Sequence, residues 1–414
     1  MERRCVLLLA HLSDSHLGYR QYGLVERERD IYSCFEEAID RAIEEHVDIV
    51  VHSGDLFHSP SPPPQAYRSA IRSLKKLKRR GIPFVYVMGQ HDKPKTQALA
   101  PLTVLEDMEL LHHAGDKPYV AGDYSVVGLD YSRRQLLVER LQSIKPVTKK
   151  SILALHVLLK EVSPLGDISA SELPKGFIYY ALGDYHLFKE IKVHGSLAVY
   201  PGSSEVISLN DLSSLGKGFC IVDLSGDEAI VHFQRLDGVR PRIVVKADLE
   251  SVDDVAKRVV SQASAMKLKP IVHLTVRGVN IKCRDVERVK EEISKVSLRV
   301  FVTLEDVEAI SLQPVRATAS SVEETIKAAI PGMSDVVSEL YKAYRSGGLH
   351  SELERLFNSD VWINWADTVK AGAVKAEAVQ QKPPRGVEDQ AKPSQVKARS
   401  STLLGWIKRD DREA

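Results

Sequence analysis

The chain has 414 residues, 43% of them hydrophobic and 27% charged, with a formal net charge of +1. This places it among soluble globular proteins with room for two or three domains, one of them large enough for a substantial core. The balanced charge excludes bulk electrostatics as a sign of a nucleic-acid partner, so any polyanion contact must come from local patches. Cys5, Cys34, Cys220 and Cys283 form no CxxC pair. That argues against a disulfide framework and a cysteine zinc site, and suits a reducing cytoplasm.

The apolar run Cys5–Ala10 is short and leads straight into His11-Leu-Ser-Asp14 with no small-residue cleavage site. It reads as a buried first strand, not a signal peptide. No run approaches the roughly 20 apolar residues of a membrane span. The expectation is a soluble, cytoplasmic protein with no membrane partner. Further apolar runs follow at Val47–His52, Pro83–Met88, Ser151–Leu155, Phe177–Leu182 and Leu197–Tyr200, most of them bounded by Gly, Pro or Asp. Amphipathic stretches between them predict helices over Arg29–Glu45, Gln65–Arg80 and Leu99–Leu111. Residues 1–237 therefore read as one α/β domain.

A small α+β module is predicted over 238–316, with strands at Arg242–Lys246, Ile271–Val276 and Arg299–Thr303 and helices at Val252–Met266 and Cys283–Val296. Residues 317–370 turn helical. Ser320 followed three residues later by Glu323 is a capping-box signature, and Ser346-Gly-Gly breaks the pattern into a helix–loop–helix. An apolar face without a companion core either folds back or docks on a partner. Residues 371–399, rich in Ala, Lys, Gln, Pro and Glu, predict a disordered linker. Residues 400–414 carry the apolar cluster Leu403, Leu404, Trp406 and Ile407, which reads as a peptide motif.

Nearly every strand of the first domain ends in an Asp or His. These are Asp14 and His16; Asp55; Gln90, His91 and Asp92; His156; and Asp184 with His186. One such residue after a strand is ordinarily a turn residue or N-cap. Five consecutive strands delivering them to the same edge of a sheet points instead to one shared crevice at the strand carboxyl ends. Hard oxygen and imidazole without thiolate favour Mn²⁺, Fe²⁺, Mg²⁺ or Zn²⁺ over a structural zinc. Two ions about 3.5–4 Å apart could share Asp55, lower the pKa of a bridging water and neutralise a phosphate oxygen.

In order and spacing, Asp14-x-His16, Gly54-Asp55, Gly89-Gln90-His91-Asp92, His156 and Gly183-Asp184-x-His186 resemble the calcineurin-like metallophosphoesterases. Within them, His16-Leu-Gly-Tyr-Arg-Gln-Tyr, Gly54-Asp-Leu-Phe-His58 and Val199-Tyr-Pro-Gly-Ser203 resemble archaeal double-strand-break repair nucleases, relatives of bacterial SbcD. The resemblance implies a metallophosphoesterase β-sandwich flanked by helices (αββα), a small α+β capping domain that binds DNA, and a C-terminal helical segment. It implies a Mn²⁺-dependent 3′-to-5′ exonuclease and single-strand endonuclease holding two Mn²⁺, with Mg²⁺ or Fe²⁺ as substitutes. Asp14, His16, Asp55 and His186 would hold the first metal. Asp55, Gln90, His156 and Asp184 would hold the second. His91 would sit beside the scissile phosphate, and His58 would serve exonucleolytic processing.

Two residues depart from the family pattern: Gln90 stands for Asn and Asp184 for His. Both belong to the second metal and both remain competent ligands, so the reading is a retuned site, with a non-catalytic scaffold as the alternative. A phosphodiesterase of small nucleotides is the other alternative, although such a substrate needs neither the capping module nor a docking segment.

The resemblance also implies an SMC-like coiled-coil ABC ATPase bound through residues 320–366. The chain lacks the P-loop pattern GxxxxGK[ST], so ATP dependence would come from that partner. It implies a homodimer through helices 65–77 and 99–111, and Leu403, Trp406 and Ile407 resemble a sliding-clamp-binding peptide. The basic run Lys75–Arg80 reads equally as a solvated helix end or a DNA contact. His52 reads as a core histidine.

Overall fold

The computed structural model describes residues 7–94, 98–226, 228–279 and 281–306. The expected docking helices, linker and tail peptide beyond residue 306 lie outside these described residues. The strands are, in chain order, β1 (Leu8–Leu12), β2 (Ile49–His52), β3 (Phe84–Tyr86), β4 (His112–His113), β5 (Tyr119–Ala121), β6 (Tyr124–Leu129), β7 (Lys150–His156), β8 (Tyr179–Gly183), β9 (Lys189–Val193), β10 (Ser196–Tyr200), β11 (Gly218–Asp223), β12 (Ile230–Arg235), β13 (Arg242–Asp248), β14 (Ile271–Gly278) and β15 (Arg299–Asp306). The α-helices are α1 (Val25–Glu44), α2 (Pro64–Arg79), α3 (Thr103–Asp107), α4 (Arg134–Ser143), α5 (Val252–Ser264) and α6 (Cys283–Val296). No helix of the described residues is long and apolar enough to cross a membrane.

Two six-stranded sheets stack face to face, in the orders β12-β11-β1-β2-β3-β4 and β5-β6-β7-β8-β10-β9. Strand alternation builds the layers, because successive side chains point to opposite faces. Leu9, Ile49, Val51 and Val85 from the first sheet meet Ile152, Ala154, Tyr179 and Ala181 from the second in a buried layer between them. The alternate residues Ala10, Leu12 and Val50 pack outward against Phe35, Ala38 and Leu74 of the helices. On the opposite side, Leu153 and Leu155 pack with Leu137 and Leu141 of α4. Fully burying each such leucine, isoleucine or valine contributes about 1.5–3 kcal/mol.

Helix α1 follows from its spacing: Ile31, Cys34, Phe35, Ala38, Ile39 and Ala42 recur at helical intervals and are all buried. Glu26 and Glu28 suit the positive end of its dipole, and His46, at φ +55°, turns the chain away beyond its end. Helix α2 opens with Pro64 in its first turn and closes on Lys76, Lys78 and Arg79. Lys76 reaches Asp40 at 2.6 Å and Lys78 reaches Glu109 at 3.1 Å, so these two cations of the basic run are paired.

Two expectations need correction. The helix predicted over Leu99–Leu111 shrinks to α3, Thr103–Asp107. Pro101 disfavours helical backbone at the residue before it, and Glu109 at φ +54° ends the turn before the chain extends into β4. The ligand-bearing strands also do not share one sheet: β1, β2 and β3 lie in the first, β7 and β8 in the second. A run buried on both faces reads the same in either sheet, so periodicity could not separate them.

The third sheet, β13-β14-β15, is parallel throughout and packs α5 and α6 on one face around Val255, Val259, Val272, Leu274, Val289 and Ile293. A buried ionic cluster ties this module to α1. The Arg27 guanidinium, fully buried, bonds Asp30 at 2.7 Å, Glu205 at 3.1 Å and the Val206 carbonyl at 3.0 Å. Arg240 bonds the other Asp30 oxygen at 2.7 Å and the Lys269 carbonyl at 2.7 Å. Removing one partner strands an uncompensated buried charge, at about 3–5 kcal/mol. Arg27→Met is therefore expected to lower the unfolding free energy by about that amount in denaturant titration; a change below about 1 kcal/mol would contradict the arrangement.

Candidate metal centre

Strands β1, β2, β3, β7 and β8 end at one crevice; β7 ends on His156 itself, and the others deliver their polar residues past their last pairing. Asp14 and His16 leave β1 at φ +50° and +47°, Asp55 leaves β2 at +57°, and Asp184 leaves β8 at +90°. Left-handed backbone at a non-glycine residue costs of order 1–3 kcal/mol and persists where the surroundings enforce it. Here the enforcement is visible. The Asp14 N–H donates to the Gly54 carbonyl at 3.0 Å and the His16 N–H to the Asp55 carbonyl at 3.0 Å. Asp92 takes N–H bonds from Leu56, Phe57 and Gly89, stapling the β2 and β3 loops together.

Glycines make the close approach. Gly54, at φ +100°, has no room for a Cβ, which would fall 2.3 Å from His156 Nδ1. A Cβ on Gly89 would fall 2.0 Å from Asp55 Oδ1. The motif glycines are thus the space into which the functional side chains fit.

All seven predicted ligands converge. His16 Nε2 and His186 Nε2 face each other at 3.3 Å, and Asp14 Oδ1 lies 3.8 Å from His186 Nε2. Beside them, His156 Nε2 is 3.5 Å from Asp55 Oδ2 and 3.7 Å from Asp184 Oδ1. Three sets, Asp14/His16/His186, Asp14/Asp55/His156 and His16/His58/His91, bring ligand atoms close enough to hold an ion. The His156 Nδ1–H donates to the Ser53 carbonyl at 2.8 Å, so Nε2 is the nitrogen that faces the crevice. That Nε2, Asp55 Oδ2 and Gln90 Oε1 are buried without a hydrogen-bond partner. Native structures rarely leave such atoms unpaired, and three together fit divalent ions bound between them.

Electrostatics agree. Burial raises Asp14 and lowers His16 well below the usual imidazole range, keeping that ring neutral and able to ligate. Burial pulls His156 down, but the Asp55 carboxylate outweighs it and raises this imidazole well above its ordinary value. Burial and then the Asp55 charge push Asp92 up to about 7. The crevice is starved of positive charge.

Gln90 Nε2 donates to Asp184 Oδ1 at 2.9 Å, so the two residues that depart from the family pattern hold each other. The His91 Nδ1–H donates to the His58 carbonyl, 2.9 Å away, with Nε2 3.9 Å from Asp55 Oδ2. His58 stacks on His91 with ring centres 5.0 Å apart and lies 4.0 Å from the Tyr19 ring. His52 is apart from the ligands, bonding Ser15 at 2.9 Å, and burial lowers it to about 3.

Sequence reasoning missed Asp211 and Lys217. Asp211 Oδ2 lies 3.1 Å from His186 Nδ1, and burial and Asp211 act in opposite directions on that imidazole, with the carboxylate prevailing to raise it. Ser208-x-x-Asp211 reads as a capping box and is one, but nothing in the spacing says that the carboxylate also reaches a histidine. Lys217 donates to the His186 carbonyl at 2.6 Å and to Ser203 at 2.8 Å.

Fold and site define a calcineurin-like metallophosphoesterase: residues 7–160 match the model of the calcineurin-like phosphoesterase family. The chain is 36% identical over 300 residues to the DNA double-strand break repair protein Mre11 of Sulfurisphaera tokodaii, covering 69% of this chain and 77% of that protein. The same protein of Saccharolobus solfataricus is 35% identical over 290 residues (66% and 76% covered), and that of Sulfolobus acidocaldarius 31% over 350 (81% and 90%). The chain belongs to the Mre11 family.

Partners that orient a metal-binding histidine tune affinity by about 10- to 100-fold. Asp211→Asn is expected to weaken divalent-metal binding within that range by calorimetric titration. Unchanged affinity would remove Asp211 from the site.

Proposed function

We propose that this chain is a two-metal phosphodiesterase that cuts DNA during double-strand-break repair, as a Mn²⁺-dependent 3′-to-5′ exonuclease and single-strand endonuclease. The observation that carries the reading is the convergence of unpartnered Asp55 Oδ2, His156 Nε2 and Gln90 Oε1 beside the Asp14/His16/His186 set. Asp14, His16, Asp55 and His186 would hold the first ion; Asp55, Gln90, His156 and Asp184 would hold the second. Bound there, divalent ions supply charge that neutralises phosphate oxygens and acidifies water. Mn²⁺ suits the mixture of imidazole, carboxylate and amide oxygen, with Mg²⁺ or Fe²⁺ as substitutes.

The chain's own groups do the rest. Asp55 would serve both ions, and its Oδ1 is held by the His91 N–H at 2.9 Å. With Nδ1 engaged at the His58 carbonyl, His91 presents Nε2 to the phosphate, where a proton on it serves the leaving oxygen. His58 sets the His91 plane by stacking. Asp184 Oδ1 accepts from Gln90 and also faces His156 Nε2 at 3.7 Å, so the amide and the carboxylate enter the second site as a pair.

The reading extends to partners: DNA ends, an SMC-like ABC ATPase through residues 320–366, a sliding clamp through Leu403, Trp406 and Ile407, and a second copy of this chain through α2 and residues 99–111. The exposed Leu99, Val104 and Met108 support the last.

The test is cleavage of linear duplex and hairpin DNA with Mn²⁺. Wild type is expected to cut, chelator to stop it, and Asp55→Ala to lose at least about a hundredfold, beyond what outer partners contribute. Gln90→Asn is expected to be weaker than wild type, because the shorter amide cannot span Asp184 and the ion together. Activity appearing only in Gln90→Asn would contradict the paired site, and silence in every form with the ATPase present would make the chain a scaffold.

A further inference from the structure

Helices α5 and α6 cover one face of the β13-β14-β15 sheet; the opposite face carries Val244, Lys246, His273, Thr275, Arg277, Phe301 and Thr303 by strand alternation. Register sets His273 directly beside Phe301, and their rings stack at 4.9 Å and 11°. The Tyr22 ring, from the strap after β1, continues the row at 4.6 Å from Phe301. Arg299 lies over the Phe301 ring at 5.7 Å and Arg242 over Tyr22 at 5.6 Å.

One segment joins the row to the metal centre. The strap that carries Tyr22 also carries Tyr19, whose ring is 4.0 Å from His58, itself stacked on His91. Tyr22 is held at φ +59°, and Arg242 pins both its hydroxyl, at 3.1 Å, and Gln21, at 2.7 Å. A half-exposed tyrosine on strained backbone is more than packing needs. Charge changes along the strands, across that row. Arg242 and Arg299 stand at the Tyr22 end, while Lys246 and Arg277 at the far end share Glu305 at 3.7 and 3.4 Å.

Aromatic rings on a sheet face, edged with arginine, are how proteins hold unpaired nucleic acid: bases stack on the rings and phosphates meet the cations. Paired bases present no such faces. We propose that Tyr22, Phe301 and His273 form a stacking platform for an unpaired DNA strand, which leads that strand toward His58, His91 and the metal centre. The platform rests on the DNA reading above and specifies it. The cap then selects substrates by engaging strands already separated at an end or hairpin, and its partner is single-stranded DNA, not the duplex.

The experiment is equilibrium binding of full-length protein, without added metal, to a fluorescent single-stranded oligonucleotide and to a duplex of the same length. Phe301→Ala is expected to lose about 10- to 100-fold in single-strand affinity, the range seen for one stacked base, with duplex affinity changed less than about threefold. Phe301→Trp is expected to restore single-strand binding, and its indole fluorescence to be quenched when the oligonucleotide binds. Arg299→Ala is expected to flatten the salt dependence by about one unit of slope. Wild-type single-strand affinity in Phe301→Ala, equal loss on both DNAs, or no quenching in Phe301→Trp would overturn the platform. In each of those cases wild-type cleavage would leave the nuclease reading standing, whereas wild type that binds neither DNA would overturn both.

Discussion

Three carboxylates, Asp14, Asp55 and Asp184, are gathered where two sheets end, and the first two are almost completely buried. Like charges so placed repel strongly in a medium of low dielectric. The rest of the crevice is arranged around that repulsion. His156 is driven toward its charged form, Asp92 is pushed up in pKa, and polar atoms of Asp55, Gln90 and His156 are left unpaired. Divalent cations satisfy all of this at once: they cancel the charge and give each orphaned atom a partner.

Holding such a site together requires a stiff frame, and the fold supplies it twice over. Face-to-face sheets bring the ends of β1, β2, β3, β7 and β8 to one edge, and left-handed turns at Asp14, His16, Asp55 and Asp184 swing side chains inward. The strain is held by the backbone bonds between the β1 and β2 loops and by the Asp92 staple. Lys217 and Asp211 fix His186 from behind, by its carbonyl and its ring. Gln90 and Asp184 hold each other through a hydrogen bond at 2.9 Å, so the amide and the carboxylate are fixed in the crevice together.

Much of this was legible before any coordinates. Strand-then-Asp/His punctuation marked Asp14, His16, Asp55, His156, Asp184 and His186, which the fold brings together, because turn residues at strand ends sit where a sheet's functional edge lies. The cap's strand–helix order was legible too, since its helices are strongly amphipathic and its strands alternate. The division of the ligand strands between two sheets was not. β6 was missed because Gly128 interrupts its apolar run, yet glycine is needed there: a Cβ would meet Val87 at 2.3 Å. β9 is a polar edge strand and β4 only two residues long, so neither carries a periodic signal. Asp211 was hidden in a turn whose local capping fully explains its sequence. The His273–Phe301 stack depends on register between distant strands, which no local pattern encodes.

Crystals soaked in Mn²⁺ and measured at the manganese edge test the central claim most directly. The account predicts two anomalous peaks about 3.5–4 Å apart, with Asp55 between them and the Gln90 amide oxygen and Asp184 on the second. A single peak among Asp14, His16 and His186, with Gln90 and Asp184 bonded only to each other, would contradict it.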